Sequence, residues 1–244
     1  MVQRYFITFA YDGTAYHGWQ IQPNANTVQE EMQKALSTIL REQISIVGAG
    51  RTDTGVHARR MIAHFDVDIQ IDATQLVYKL NRLLPRDISV IQIETVDGDK
   101  HARFSALART YHYYIHTRKD PFKALYSYET HYNLDFERMN EACELLKRYE
   151  DFGAFCKSGS DVTTTLCQIK EAYWVKESDT SYYFHITANR FLRNMVRAIV
   201  GTLVDVGRYR ITLEDFCQII ENGNRTDAGE SMPAHALFLE DVRY

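Results

Sequence analysis

No apolar run in this sequence approaches the roughly 18 residues that a membrane-crossing helix needs. The first ten residues alternate apolar and polar side chains and lack a basic segment followed by an apolar run, so no secretory signal is expected. Cysteine is scarce: Cys143, Cys156, Cys167 and Cys217 contain no C-x-x-C pair. That spacing argues against a zinc centre and suits reduced thiols packed in the core of a cytoplasmic protein. Positive charge is not in excess either. Lys and Arg number 28 against 32 Asp and Glu, a net of -4, which at first sight speaks against a nucleic-acid partner.

What is present outweighs what is missing. At 244 residues, 45% hydrophobic and 12% aromatic, the chain can build a real core in one large domain or two small ones. Its average charge conceals clustering: residues 100–123 carry +5, residues 190–210 carry +4 and residues 51–60 carry +2, leaving -15 elsewhere. Any one cluster fits a solvated face. Three of them, interleaved with aromatic or small residues, fit a basic groove on an acidic body, with Arg103, Arg109, Arg190 and Arg193 as candidate phosphate contacts.

One order of elements occurs twice. Tyr5 to Tyr11 alternates as a strand, Thr27 with Glu30 reads as a capping box before a helix, and Ile44 to Gly48 and Met61 to Val67 read as strands. Asp72 with Gln75 caps a second helix that Pro85 ends, and Ile88 to Val96 is a strand rich in Ile and Val. Asp97-Gly98-Asp99 is a turn and the expected boundary, giving halves 1–98 and 99–244. The second half offers a strand at Arg109 to His116, a helix capped by Asp135, strands at Cys167 to Lys176 and Tyr182 to Ala188, an apolar helical stripe from Phe191 to Val204, a shorter helix from Thr212 and a strand from Leu237. Two βαββαβ halves predict an α+β fold, ferredoxin-like in each half, with mainly antiparallel sheet flanked by helices and a cleft between the halves as the site.

The stretch AGRTDTGVHARR, Ala49 to Arg60, places Asp53 beside Arg51 on a glycine-bounded strand-to-strand connection. Such an acid is either a turn-stabilising Asp or a nucleophile kept ionised by its neighbour. The strand Arg109 to Tyr114 puts Tyr111 and Tyr113 on one face, which suits core packing or a base-stacking platform. Arg193 and Arg197 stand four residues apart beside the apolar stripe, as surface arginines or as part of a site.

These residues resemble the tRNA pseudouridine synthases of the TruA type. The resemblance rests on YDGTAYHGWQIQP with TVQE after it, GRTDTGVHA, FSALARTYHYYI, DFGAF, FLRNMVRAIVGTLVDVG and MPAHALFLEDVRY, in that order along nearly the whole chain. It implies a two-half α+β fold and a homodimer that needs no cofactor or metal and acts on uridines 38, 39 and 40 of the tRNA anticodon stem-loop. It further implies that Asp53 is the catalytic nucleophile, that Tyr111 packs on the target base, that Arg197 is the ion-pair partner of Asp53 and that Arg51 helps extrude the base. Two residues depart from the family pattern: Thr54 where Ala is usual and Ala236 where Gly is usual. Thr54 is small, but Ala236 would be strained if its backbone needed a positive φ.

The implied chemistry suits the residue types. Breaking the bond from uracil N1 to C1′ and rejoining C5 to C1′ needs a nucleophile and an enclosed pocket. A guanidinium keeps a partly dry carboxylate charged, and arginine does so bidentately. Two other classes fit part of the pattern. Asp53-Thr54-Gly55 spells the aspartic-protease triplet, but Arg51 beside it disfavours a shared proton. A non-catalytic RNA-binding module with tandem ferredoxin-like halves leaves the Asp53 turn without a purpose.

Overall fold

The computed structural model describes residues 2–160 and 162–244. In chain order the strands and α-helices are β1 (Gln3–Tyr11), α1 (Val28–Leu40), β2 (Val47–Gly48), β3 (His57–Val67), α2 (Ala73–Leu83), β4 (Ile88–Val96), β5 (Ala108–His116), β6 (Tyr128–Glu129), α3 (Phe136–Leu146), β7 (Ile169–Ser178), β8 (Ser181–Ala188), α4 (Met195–Gly207), α5 (Leu213–Asn222) and β9 (Leu237–Arg243). They form two compact units, one running to Leu107 and including Phe238–Tyr244, the other Ala108–Leu237. The fold is mixed α+β with mainly antiparallel pairing. No helix among the described residues is long and apolar enough to cross a membrane.

In the first unit β1 lies between β4 and β3, antiparallel to both. Alternate residues of β1 explain the packing: Tyr5 stacks on Phe65 at 5.7 Å and Phe9 leans on Trp19 at 5.5 Å, with Ile7 buried between them. Buried Val28, Met32 and Leu36 of α1 and Leu76 and Leu80 of α2 provide apolar helix faces at the expected spacing. Asp72 accepts the Gln75 N–H at 3.0 Å, as the sequence predicts. Thr27 differs. It is the N-cap residue of α1 but makes no side-chain cap bond, so no capping box forms there.

The strand expected from Ile44 is shorter than its apolar pattern suggests. The Ile44 and Ile46 N–H groups donate to Ser37 Oγ and Gln33 Oε1 on α1, and only Val47 and Gly48 pair with β3. In contrast, β3 begins at His57, upstream of the expected Met61, so Asp53 stands close to the start of regular strand. The last strand also joins this unit: Phe238 and Leu239 pair in parallel with His57 and Ala58.

His64 ties β3 to the segment after β4. His64 Nδ1 accepts the Ala102 N–H at 3.1 Å, and burial, followed by the nearby Arg4 charge, pushes its pKa down to about 4. The neutral ring is therefore the folded form, and its stabilising contribution is complete above the unfolded pKa of about 6.5 and lost as pH falls toward 4. His64→Asn, which keeps an acceptor but does not titrate, is expected to lose less melting temperature than the parent between pH 7 and pH 4.5. Equal losses would remove His64 from the account.

In the second unit β8 lies between β7 and β5, antiparallel to both, and short β6 runs parallel to β5. Asp135 caps α3 through the Arg138 N–H at 2.9 Å, and Thr212 with Asp215 forms a complete capping box on α5. The stripe from Phe191 is not all helix. Asn194, at φ 67, is the N-cap of α4, so Arg193 stands outside the helix and its expected four-residue spacing with Arg197 along one helix line does not exist. Within α4 every residue except Arg197 and Asp205 is buried. A helix so apolar on all sides is a core element, which makes its one arginine conspicuous.

Candidate active site

The Asp53 turn is held by the segment Tyr11–Trp19. The Tyr16 carbonyl accepts the Gly55 N–H at 3.3 Å, the Thr52 carbonyl accepts the Trp19 N–H at 3.3 Å, and Tyr11 Oη lies 2.9 Å from Thr52 Oγ1. Asp53 closes the turn itself, its carbonyl accepting the Val56 N–H at 3.1 Å while Gly55 takes φ 77. Two close approaches depend on missing side chains: a Cβ at Gly13 would stand 2.1 Å from the Val56 carbonyl oxygen, and one at Gly18 2.4 Å from that of Thr52. The holding segment is itself anchored. The Asp12 N–H donates to the Asp87 carbonyl at 2.9 Å, and the Tyr16 hydroxyl donates to Asp87 Oδ1 at 2.7 Å; burial with this bond raises the Tyr16 pKa.

On this support Asp53 is half-buried and Arg51 and Thr54 are exposed. Arg51 Nε donates to Gln20 Oε1 at 3.1 Å, so the guanidinium also depends on the Tyr11–Trp19 side of the loop.

In the second unit Tyr111 is buried on β5, its ring edge-to-face with Phe191 at 5.2 Å. Tyr113 on the same face is fully buried, and its hydroxyl donates to the Pro233 carbonyl at 3.0 Å. Burial raises the Tyr113 pKa well above the ordinary value. Arg109 Nη1 donates to the Asn189 carbonyl at 2.8 Å, which brings Arg109 next to Arg190 at the connection between β8 and α4. Arg193 follows on that connection, exposed, its carbonyl accepting the Lys157 N–H at 3.0 Å. Arg103 lies in the first unit, on the exposed segment after β4.

Arg197 is positioned by the segment before β9. Its Nε donates to the Met232 carbonyl at 2.5 Å and its carbonyl accepts the Met232 N–H at 3.1 Å. That segment lies against α4 because glycine allows it: a Cβ at Gly201 would stand 1.9 Å from the Glu230 carbonyl oxygen. Arg225 Nη2 and Asn194 Nδ2 both donate to Ser231 Oγ, at 2.7 and 2.6 Å. Ala236 is buried in a 3-10 turn, Ala234–Ala236, and is not among the residues at positive φ, so the strain considered for it does not arise.

The family model described as tRNA pseudouridine synthase matches residues 7–105 and 142–244. The chain belongs to the tRNA pseudouridine synthase family. Proteins named tRNA pseudouridine synthase A are similar over its full length. Those of Bacteroides thetaiotaomicron and Bacteroides fragilis are each 55% identical over 100% of this chain and over 91% and 97% of their own length. That of Bacillus subtilis is 40% identical over 97% of both chains. Arg51, Asp53, Arg103, Arg190, Arg193 and Arg197 fall within the matched family segments, whereas Arg109 and Tyr111 lie in the unmatched stretch between them.

Some of what builds the site is not apparent in residue spacing. Gly13, Tyr16, Gly18 and Trp19 hold the Asp53 turn, and Ser231 and Met232 hold Arg197 and its surroundings. Gly13, Tyr16, Gly18, Trp19 and Met232 fall in motifs that the resemblance quoted, whereas Ser231 lies just before the last of them and carried no signal.

Proposed function

We propose that this protein isomerises uridine to pseudouridine at positions 38, 39 and 40 of the tRNA anticodon stem-loop, as a cytoplasmic homodimer without metal or cofactor. The observation that carries the reading is the held Asp53 turn inside the segment matched by the family: a half-buried carboxylate on a rigid loop with an arginine two residues away. In this reading the N-terminal half, 1–98, supplies the carboxylate and the C-terminal half, 99–244, the tyrosine and the second arginine.

The reaction is an isomerisation and must balance as one. The bond from N1 to C1′ breaks, uracil turns, C5 bonds to C1′, the C5 proton leaves and N1 ends with a proton. Asp53 acts as the nucleophile, and Arg197 as its ion-pair partner holds it charged and oriented. Extruding a nucleotide costs on the order of a few kcal/mol, and Arg51, exposed beside the turn, suits that step. Stacking on Tyr111 at about 1 to 3 kcal/mol offsets the cost. Arg103, Arg109, Arg190 and Arg193 serve as phosphate contacts.

The test is incubation of the pure protein, with chelator, with an unmodified tRNA transcript, followed by chemical mapping of pseudouridine and measurement of hydrogen released from uridine C5. Pseudouridine at 38 to 40 supports the reading. Tight tRNA binding with no pseudouridine supports the non-catalytic alternative. Sedimentation at working concentration checks the dimer.

Two variants separate the roles. Tyr111→Phe keeps the ring against Phe191, so tRNA binding is expected to survive better than turnover if the hydroxyl handles the C5 proton. Normal turnover would leave Tyr111 as a stacking platform alone. Arg197→Ala removes a charged donor from the Met232 carbonyl and is expected to cost about 1.5 to 3 kcal/mol of stability together with most of the activity. An unchanged melting temperature would show that the Met232 bond contributes nothing to stability.

A further inference from the structure

Phe104 is 77% exposed, unusual for a phenyl ring on a segment so firmly tied down. The turn that carries it is held at every residue. The His101 N–H donates to Ser105 Oγ at 2.9 Å and the Ser105 N–H to the His101 carbonyl at 2.9 Å. His101 Nδ1 accepts the N–H groups of Arg103 and Phe104 at 3.1 and 3.3 Å. Ala102 is gripped from both sides, by His64 Nδ1 at 3.1 Å on its N–H and by the Tyr244 hydroxyl, which donates to its carbonyl at 2.6 Å. Burial, then Arg4 and Arg103, lowers the His101 pKa, so Nδ1 stays an acceptor at neutral pH.

Rings continue beneath it. Tyr244 lies 4.9 Å from Phe6, Phe6 6.5 Å from His64, His64 4.6 Å from His101 and His101 4.4 Å from Phe104. Phe104 is the outermost member of this ladder, and the Arg103 guanidinium lies 5.5 Å from its ring centroid. An exposed aromatic next to a guanidinium on a preformed turn is what an unpaired nucleotide requires: the ring takes the base and the cation takes the adjoining phosphate. Preorganisation matters because ordering a loose loop at the moment of binding would consume much of a single stacking contact.

We propose that Phe104, with Arg103 beside it, is a stacking site for a second unpaired nucleotide of the bound tRNA, separate from the uridine that reacts. The proposal rests on the tRNA reading above for its ligand and extends it by a contact that neither the family match nor the catalytic roles assign. An isolated exposed Phe needs no explanation in general; the held turn and the cation on its ring are what distinguish this one.

The test uses the full chain and an unmodified tRNA transcript. In Phe104→Trp, the two native tryptophans, Trp19 and Trp174, are buried, so the new indole dominates exposed emission; tRNA is expected to quench it by stacking. Phe104→Ala should raise the tRNA Kd and KM by about tenfold or more with the larger change in KM than in kcat, and Phe104→Trp should restore both. No quenching together with a parent-like KM in Phe104→Ala would overturn the proposal, and a shift toward monomer in Phe104→Ala would replace it with a contact between copies of this chain. If the parent makes no pseudouridine but tRNA quenches the Trp variant, the stacking site stands and the catalytic reading fails. If the parent makes pseudouridine and no quenching occurs, only the stacking site fails.

Discussion

Asp53→Asn is expected to reduce pseudouridine formation by on the order of a thousandfold or more while leaving tRNA affinity and melting temperature near those of the parent. The amide is close to isosteric with the carboxylate but is a far poorer nucleophile, so the change falls on the chemical step. The structure gives a reason for the fold to tolerate it. The turn is held through backbone groups, by the Asp53 carbonyl to the Val56 N–H, the Gly55 N–H to the Tyr16 carbonyl and the Trp19 N–H to the Thr52 carbonyl. Single-turnover assays at saturating tRNA, paired with thermal melts, measure both quantities. Turnover within tenfold of the parent would remove Asp53 from the nucleophile role.

Gly13→Ala is expected to reach the same turn from behind. A Cβ there would lie 2.1 Å from the Val56 carbonyl oxygen, a distance that real Cβ contacts do not show, and the obstacle is backbone rather than a flexible side-chain end. Something must move, and Val56 is the residue whose N–H closes the Asp53 turn. Overpacking of this kind costs about 1 to 3 kcal/mol or more, which for a chain of this size lowers the melting temperature by roughly 2 to 12 °C. Displacing a reacting group by about 1 Å costs on the order of a hundredfold in rate, so activity should fall further than stability. Gly98→Ala is the control, since a Cβ there meets nothing within 4 Å. If Gly13→Ala retained full activity and stability, the clamp described for the Asp53 turn would be wrong.

The elements with strong periodicity were legible because their packing is local in origin. Helices α2, α3 and α5 start where Asp72, Asp135 and Thr212 cap them, and β1 alternates as its burial does. Thr27 misled because a capping pattern records which partners are available, not whether the hydroxyl turns toward them. The Ile44 strand misled because the side chains of Ser37 and Gln33 on α1 took the N–H groups that a neighbouring strand would have taken. Arg193 misled because Asn194 adopts a left-handed conformation as N-cap, so α4 starts at Met195, four residues after the expected Phe191, and no periodic pattern announces it.

By itself the sequence determined the α+β class, the position of Asp53 on a glycine-bounded turn, and a run of motifs that the family match covers apart from most of FSALARTYHYYI. Those depend on residue type and order, which the chain carries openly. Tertiary structure alone decided how the site is supported: which carbonyls Gly13 and Gly18 approach, which backbone oxygen receives Arg197 Nε, and that Phe104 stands exposed on a tied turn. Each of these joins residues far apart in the chain or depends on a backbone-to-backbone distance. A glycine or an arginine looks the same in sequence whatever it meets in space, so only the folded chain could show what each one touches.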